Sequence, residues 1–281
     1  MSTLSAESAP GAAPRAARDA VPVPRGDGAA ELAPRVRLWP ALGAVYRAQL
    51  SRARVARIPL LFVATFQSIG IMVLLRGVVT PGPGPEAQAV VAGSSVLVVA
   101  FVALNLLAQH FGALRASGGL DHYATLPVPP AAVVLGAAAA YASFTVPGVL
   151  VTAVTGSLLY SLPVTGLWVL LAVIPLAGAA LAGVGAALGL LAPRPELATL
   201  CGQLGMSAAL LLGVLPPQAL PEPLRWAREL LPSTYGVEAL AATFGPAPAW
   251  ARVALDLGVC AAVGALGLAL ATWAYRRAAV R

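Results

Sequence analysis

Six long apolar runs dominate the chain, at about residues 58–75, 89–109, 131–160, 167–191, 199–215 and 253–275. Each is long enough for a helix to cross a bilayer, which takes roughly 17–25 residues. The pattern predicts an all-α, polytopic membrane protein with six transmembrane helices. The third run is overlong, so its helix should tilt or pass beyond one interface. Pro147 and Pro175 fall inside the third and fourth runs. An internal proline removes a backbone hydrogen bond and kinks a helix, which lipid tolerates when neighbours satisfy the freed carbonyl.

The segments between the runs differ in kind. Residues 1–38 carry Pro10, Pro14, Pro22, Pro24 and Pro34 among Ala, Arg and Gly, with no apolar core of a signal peptide. They predict a disordered cytoplasmic tail. In 39–57, Leu42, Val45, Tyr46, Gln49 and Leu50 share one helical side, and Arg47, Arg52, Arg54 and Arg57 gather around the rest. This predicts an N-terminal interfacial helix, or else a charged flank of the first span. Residues 58–281 form the six-span transmembrane domain. Residues 216–245, before the last span, are too polar to cross and too apolar for a free loop. Leu224, Ala227, Leu230 and Leu231 share a helical face there, and a second short helix is expected from Thr234 to Phe244. The segment therefore predicts a short helical pair dipping into the outer leaflet.

Composition supports the membrane assignment. Apolar residues make up 59% of the chain and charged residues 10%, with a mean hydropathy of +0.82. A soluble domain averages roughly 45–50% apolar and about 25% charged. The net charge is +7, and all 18 basic residues are Arg. Without Lys there can be no phosphate-binding loop ending in Gly-Lys-Ser/Thr and no Schiff base, so the chain cannot hydrolyse ATP by that route. If the tail is inside, the inner segments hold 14 Arg and the outer ones four, Arg76, Arg225, Arg228 and Arg252. That asymmetry predicts both termini in the cytoplasm. The wealth of Ala, Gly, Pro and Arg fits a high-GC bacterial coding bias, and hence a bacterial cytoplasmic (inner) membrane. The tail charge is read as topology and affinity for anionic lipid, not nucleic-acid binding.

Little in the chain looks catalytic. There is no His-Glu-x-x-His, no Gly-x-Ser-x-Gly and no metal-ligand spacing, so no cofactor or metal is expected. Cys201 and Cys260 read as small core residues. His110 and His122 read as solvated interface residues. Asp256, one turn from Arg252, reads as half of an ion pair at the outer rim. Gln67, Ser94, Asn105, Thr152, Gln203 and Ser207 are among the polar side chains inside spans, suited to holding helices together or lining a path. Gly185-x-x-x-Gly189 and Gly258-x-x-x-Ala262 are small-xxx-small pairs that permit close helix approach.

Two non-spanning segments carry a resemblance. The inner loop places Arg115, Gly118, Leu120, Asp121, Pro127 and Val128 in order; the segment before the last span places Leu231, Pro232, Tyr235, Glu238, Ala239 and Leu240. In both, the chain resembles the permease subunit of type-2 ABC exporters, particularly drug and antibiotic exporters, over about residues 40–280. It departs from that pattern at Ala116, where an acid is usual, and at Pro129-Pro130, which replace a polar pair. The resemblance implies a permease homodimer or heterodimer served by a separate cytoplasmic ABC ATPase. Arg115, Gly118, Leu120, Asp121 and Pro127 would then couple to the ATPase, and Leu231, Pro232, Tyr235 and Glu238 would belong to an exit gate. The expected cargo is a small hydrophobic, drug-like or lipid-like compound, met by spans one, two and five. The competing classes are an integral-membrane lipid-modifying enzyme and a non-transporting immunity or structural membrane protein.

Overall fold

The computed structural model describes residues 37–77, 79, 82–214, 221–245 and 248–278, without the side chains of 52–57, 124 and 214. The tail expected over 1–38 thus lies almost wholly outside the described residues. Helix α1 covers Leu38–Leu75; α2 (Pro85–Val99) runs through a π-helical stretch, Ala100–Leu106, into α3 (Leu107–Ala116). Then follow α4 (Gly119–Thr125), α5 (Pro130–Tyr160), α6 (Leu170–Leu191) and α7 (Pro195–Val214). The last three are α8 (Glu222–Leu230), α9 (Pro232–Ala241) and α10 (Trp250–Ala278). A 3₁₀ turn, Val164–Val169, leads into α6. Among the described residues, six helical stretches are long and apolar enough to span: Ile58–Leu75, Pro85–Ala116, Pro130–Tyr160, Val164–Leu191, Pro195–Gly213 and Trp250–Ala278.

Glycine contacts set the directions of the spans. A Cβ on Gly136 would stand 2.9 Å from Val45, one on Gly148 2.6 Å from Thr65, and one on Gly156 2.9 Å from Met72, so α1 and α5 run parallel. By the same measure Gly185 faces the Leu104 carbonyl and Gly189 that of Ala108, while Gly183 meets Gly267 and Gly264 meets Ala180. The second, fourth and sixth spans are therefore parallel to one another. On α7, Gly202 lies against Asn105 and Ala108 and Gly205 against Leu104, the reverse order. Neighbouring spans alternate, which puts the start of α1, helix α4 and the end of α10 at one end of the bundle. Helices α8 and α9 lie at the other.

The interfacial helix expected over 39–57 is not a separate element. It is the first half of α1, a single helix of 38 residues that passes through Pro59. At about 1.5 Å per residue α1 is ~57 Å long, well beyond the ~30 Å hydrocarbon thickness. The expected face is right, but protein covers it instead of lipid. Ala41, Val45 and Gln49 are buried, the Tyr46 hydroxyl donates to Ser143 Oγ (3.1 Å), and Gln49 Nε2 lies 3.3 Å from His110 Nε2. His110 is consequently half-buried between α1 and Tyr141 of α5, where a solvated ring was expected, whereas His122 is exposed.

The five tryptophans are all exposed and mark two girdles. Trp168, Trp226 and Trp250 stand at the α8–α9 end, with the Trp168 and Trp250 rings tilted against each other at 5.4 Å, and Trp39 and Trp273 stand at the α4 end. Such belts are where amphipathic rings settle at membrane interfaces.

The second span is the core. In its most apolar window 94% of the residues are buried, against 17% in the first span. Its π-helical stretch was not legible from sequence. That stretch is gripped from both sides by glycines, Gly185 on α6 and Gly202 and Gly205 on α7. Of the two small-xxx-small pairs, Gly185/Gly189 makes the close crossing, while a Cβ on Gly258 would meet nothing within 4 Å. The α10 crossing uses Gly264 and Gly267 instead. A methyl at Gly185 would stand 2.4 Å from the Leu104 carbonyl oxygen, which is backbone and cannot swing away. Gly185→Ala should therefore cost about 1–3 kcal/mol as overpacking. Gly258→Ala should be neutral or slightly stabilising, since a helical Gly gives up about 1 kcal/mol to Ala. Thermal unfolding of the two variants in detergent tests this ordering, and equal midpoints would contradict it.

Candidate functional site

At the α4 end, the inner loop folds as a helical corner. Gly118, at φ +69°, takes the left-handed conformation that ends α3 and starts the seven-residue α4. A residue with a Cβ is strained there. Leu120 is 3% exposed and anchors α4 to the bundle, whereas Asp121 and His122 are exposed on its other side. Pro127 is exposed in the link to α5. Arg115 and Asp121 form no ion pair. Arg115 Nη1 instead donates to the carbonyls of Leu190 (2.7 Å) and Ala192 (2.8 Å) at the end of α6. These carbonyls have no partner within the helix, and a cation also complements the negative end of the helix dipole. Arg115 therefore fastens the corner to the end of α6, and Asp121 is left exposed.

At the opposite end, Leu231 alone separates α8 from α9, with Pro232 opening α9. The expected second helix, 234–244, is realised as α9 followed by a 3₁₀ turn, Ala242–Phe244. The expected apolar face of α8 is not what α8 buries. Leu224 and Leu230 are exposed, at 37% and 83%, and Arg228 is the buried residue, at 8%. Arg228 turns inward because two acceptors wait there for its guanidinium. Nε donates to the Leu212 carbonyl of α7 (2.9 Å), Nη1 pairs with Glu238 Oε1 of α9 (3.0 Å), and the Arg228 carbonyl accepts the Thr234 hydroxyl (2.6 Å). Tyr235 donates to the Glu229 carbonyl (2.9 Å), and the Cys260 thiol lies 3.7 Å from the Pro232 carbonyl. All four residues expected at an exit gate, Leu231, Pro232, Tyr235 and Glu238, thus fall in one corner joining α7, α8, α9 and α10.

The rim pair expected between Arg252 and Asp256 does not form. Arg252 reaches Glu238 Oε2 at 3.8 Å, while Asp256 is 3% exposed and its Oδ2 has no hydrogen-bond partner among the described residues. The reason is the face of α10 that packs. Val253, Asp256, Cys260 and Gly264 form its buried stripe, so Asp256 faces protein and Arg252 faces out. A single helix turn of spacing cannot reveal this, because it does not say which side of the helix is covered.

Two cavities of about 420 Å³ each open between α1, α5, α6 and α10, that is, among the first, third, fourth and sixth spans. The expected path among spans one, two and five is not where this space lies, and the second span is too buried to line an open path from within one copy. Among the described residues, no group of three His, Cys, Asp or Glu is placed to hold a metal ion.

Six alternating spans, a helical corner at one end and a short helical pair at the other define an all-α, multi-pass membrane protein. Residues 42–244, more than two thirds of the chain, match the ABC-2 type transporter family, and the chain belongs to that family. Membership makes it a membrane component of an ABC transporter and implies association with an ABC ATPase partner. No curated protein matches the chain.

The charge network generates a test. Arg228 has 10% of its side chain exposed and Arg252 has 71%, though both face Glu238. Removing the buried Arg228 takes away the partner of the Leu212 carbonyl and the nearer partner of Glu238, at a cost of about 1–3 kcal/mol; an exposed pair is worth ~0–1 kcal/mol. Arg228→Met should lower the unfolding midpoint in detergent several times more than Arg252→Gln does. An equal effect of the two variants would refute the network as drawn.

Proposed function

We propose that the chain is the permease subunit of an ATP-driven exporter in a cytoplasmic membrane, moving a hydrophobic drug-like or lipid-like compound outward. The observation that carries this reading is α4. It is a short helix anchored by one buried leucine, fastened through Arg115 and presenting Asp121 outward, the form expected of a joint pressed by a separate motor. Arg placement supports α4 and both chain ends on the cytoplasmic side. The α8–α9 corner is then the outer gate.

A second copy of the chain, or a homologous permease, completes the unit in this reading. Phe62, Phe66 and Gln67 on α1 are exposed, as are Leu200, Gln203 and Leu204 on α7. An amide turned to hydrocarbon loses hydrogen bonds worth a few kcal/mol in an alkane-like medium. Covering these faces with a partner permease gives Gln67 and Gln203 polar neighbours or a cargo. ATP binding to the two ATPases would bias the permease pair between two arrangements, with α4 as the point of contact.

Two measurements test the reading. Reconstituted with its ATPase, the Asp121→Arg variant should insert and bind cargo normally but lose transport and cargo-stimulated ATP hydrolysis. Undiminished transport would move the joint elsewhere. In a background lacking Cys201 and Cys260, a cysteine introduced at Pro85 should react with an impermeant thiol reagent added outside intact cells, and one at Ser117 should not. Labelling at Ser117 alone would invert the orientation.

A further inference from the structure

The two 420 Å³ cavities share Leu135 and Leu268, so they are parts of one groove. One wall is a stripe of α5, Leu135, Ala138, Ala142 and Val146. The other is a stripe of α10, Ala265, Leu268, Thr272 and Arg276, with Trp273 beside it. Both follow the three-to-four-residue spacing of one helix face, and Ile174 and Pro175 of α6 lie between them at the deeper end. The α10 stripe rises about 16 Å from Arg276 to Ala265, half of a ~30 Å hydrocarbon layer. The part of the groove along α10 is therefore one leaflet deep, and the α5 stripe continues it deeper, because the antiparallel α5 and α10 meet at Leu135 and Leu268.

Its polarity is lopsided. The hydroxyls on its walls are already engaged, Ser143 donating to the Ala139 carbonyl (2.9 Å) and Thr272 to the Leu268 carbonyl (2.8 Å). Nothing at depth asks for a polar ligand. At the mouth, Arg276 is exposed and forms no ion pair with the described residues, and Arg277 sits 5.3 Å over the Trp273 ring. The mouth lies at the α4 end of the bundle, level with the Trp39 and Trp273 girdle.

We propose that this groove is a binding site for an anionic phospholipid, which lays an acyl chain between α5 and α10 and its phosphate headgroup against Arg276. The apolar walls select a hydrocarbon chain, the depth along α10 matches one leaflet, and a guanidinium at headgroup level with no ion pair among the described residues selects negative charge. A basic pocket between membrane helices is a known form of headgroup recognition. Arg suits it because its planar fork meets phosphate oxygens in pairs.

The test uses the full chain purified in detergent, titrated with dioleoyl phosphatidylglycerol or dioleoyl phosphatidylcholine. Retained lipid is read by native mass spectrometry, and the unfolding midpoint is read in parallel. The wild type should retain phosphatidylglycerol over phosphatidylcholine, and Arg276→Gln should cut that preference about fivefold, the weight of one basic residue near anionic lipid. Ala142→Leu, which fills the groove without touching charge, should lower retention of both lipids. Glycerol phosphate alone should give no stabilisation, because the chain supplies most of the binding. Equal retention of the two lipids by the wild type, or an unchanged preference in Arg276→Gln, would overturn the proposal, as would full stabilisation by glycerol phosphate. Arg276→Gln removes an exposed side chain outside the coupling and gate residues, so transport failure in Asp121→Arg and lipid loss in Arg276→Gln report on separate claims.

Discussion

The approach of α6 to the backbone of the second span is the constraint from which the arrangement follows. Lipid tails are as apolar as leucine, so membrane helices gain little by hiding apolar surface from one another and associate through close packing. Gly185 and Gly189 bring α6 onto the carbonyls of Leu104 and Ala108 with no side chain between them. The opposite side of α6, at Ala180 and Gly183, receives Gly264 and Gly267 of α10. Three parallel spans are thereby locked into a row. Helix α7 closes on the second span through Gly202 and Gly205, and α1 lies along α5. The first, fifth and sixth spans are left with most of their surface uncovered.

How much of this was legible depends on what kind of information each feature carries. The spans were legible because crossing a bilayer demands length and apolarity, which are sums over a segment. Alternation of direction and the short helical pair followed from the polar intervals. The π-helical stretch was not legible, since Ala100–Leu106 reads as an ordinary apolar helix with one Asn. Which glycines make crossings was only half legible, because Gly185 and Gly258 sit in equivalent motifs and differ only in what lies opposite. For the candidate site, the residues of the α8–α9 corner were found, but its buried Arg228 was not. Apolar residues on α8 drew the expected inner face, and in a membrane an apolar face can point to lipid as readily as to protein. The same ambiguity hid the inward turn of Asp256 and made the first half of α1 read as a helix lying on lipid.

The two ends of the bundle handle charge differently, and the difference follows from burial. At the α4 end Arg115 binds only backbone carbonyls, and Asp121 remains in solvent. That arrangement costs little desolvation and leaves an acid available to a partner. At the α8–α9 end Arg228 is taken out of solvent, so its compensation has to be complete, and it gains a carbonyl and a carboxylate from two other helices. Desolvating an ion costs several kcal/mol, which only close, multiple partners offset. A corner held this way is stiff while the pair is intact and loose once it is broken.

The groove between α5 and α10 is a consequence of the same glycine contacts. Ala138, Ala139 and Ala142 on α5 are as small as the residues that let helices meet elsewhere, so α10 could in principle close on them. It does not, because Gly264 and Gly267 already commit α10 to α6 at backbone distance. Shifting α10 toward α5 would open that contact, and a gap of even 0.5–1 Å forfeits roughly a quarter to a half of each van der Waals well along it. The space beside α5 therefore persists as long as the α6–α10 crossing does. An empty apolar slot facing lipid is filled by whatever hydrocarbon is nearest, and in a bilayer that is an acyl chain. What remains for the protein to choose is the headgroup, and that choice falls to the cation that lines the mouth, Arg276.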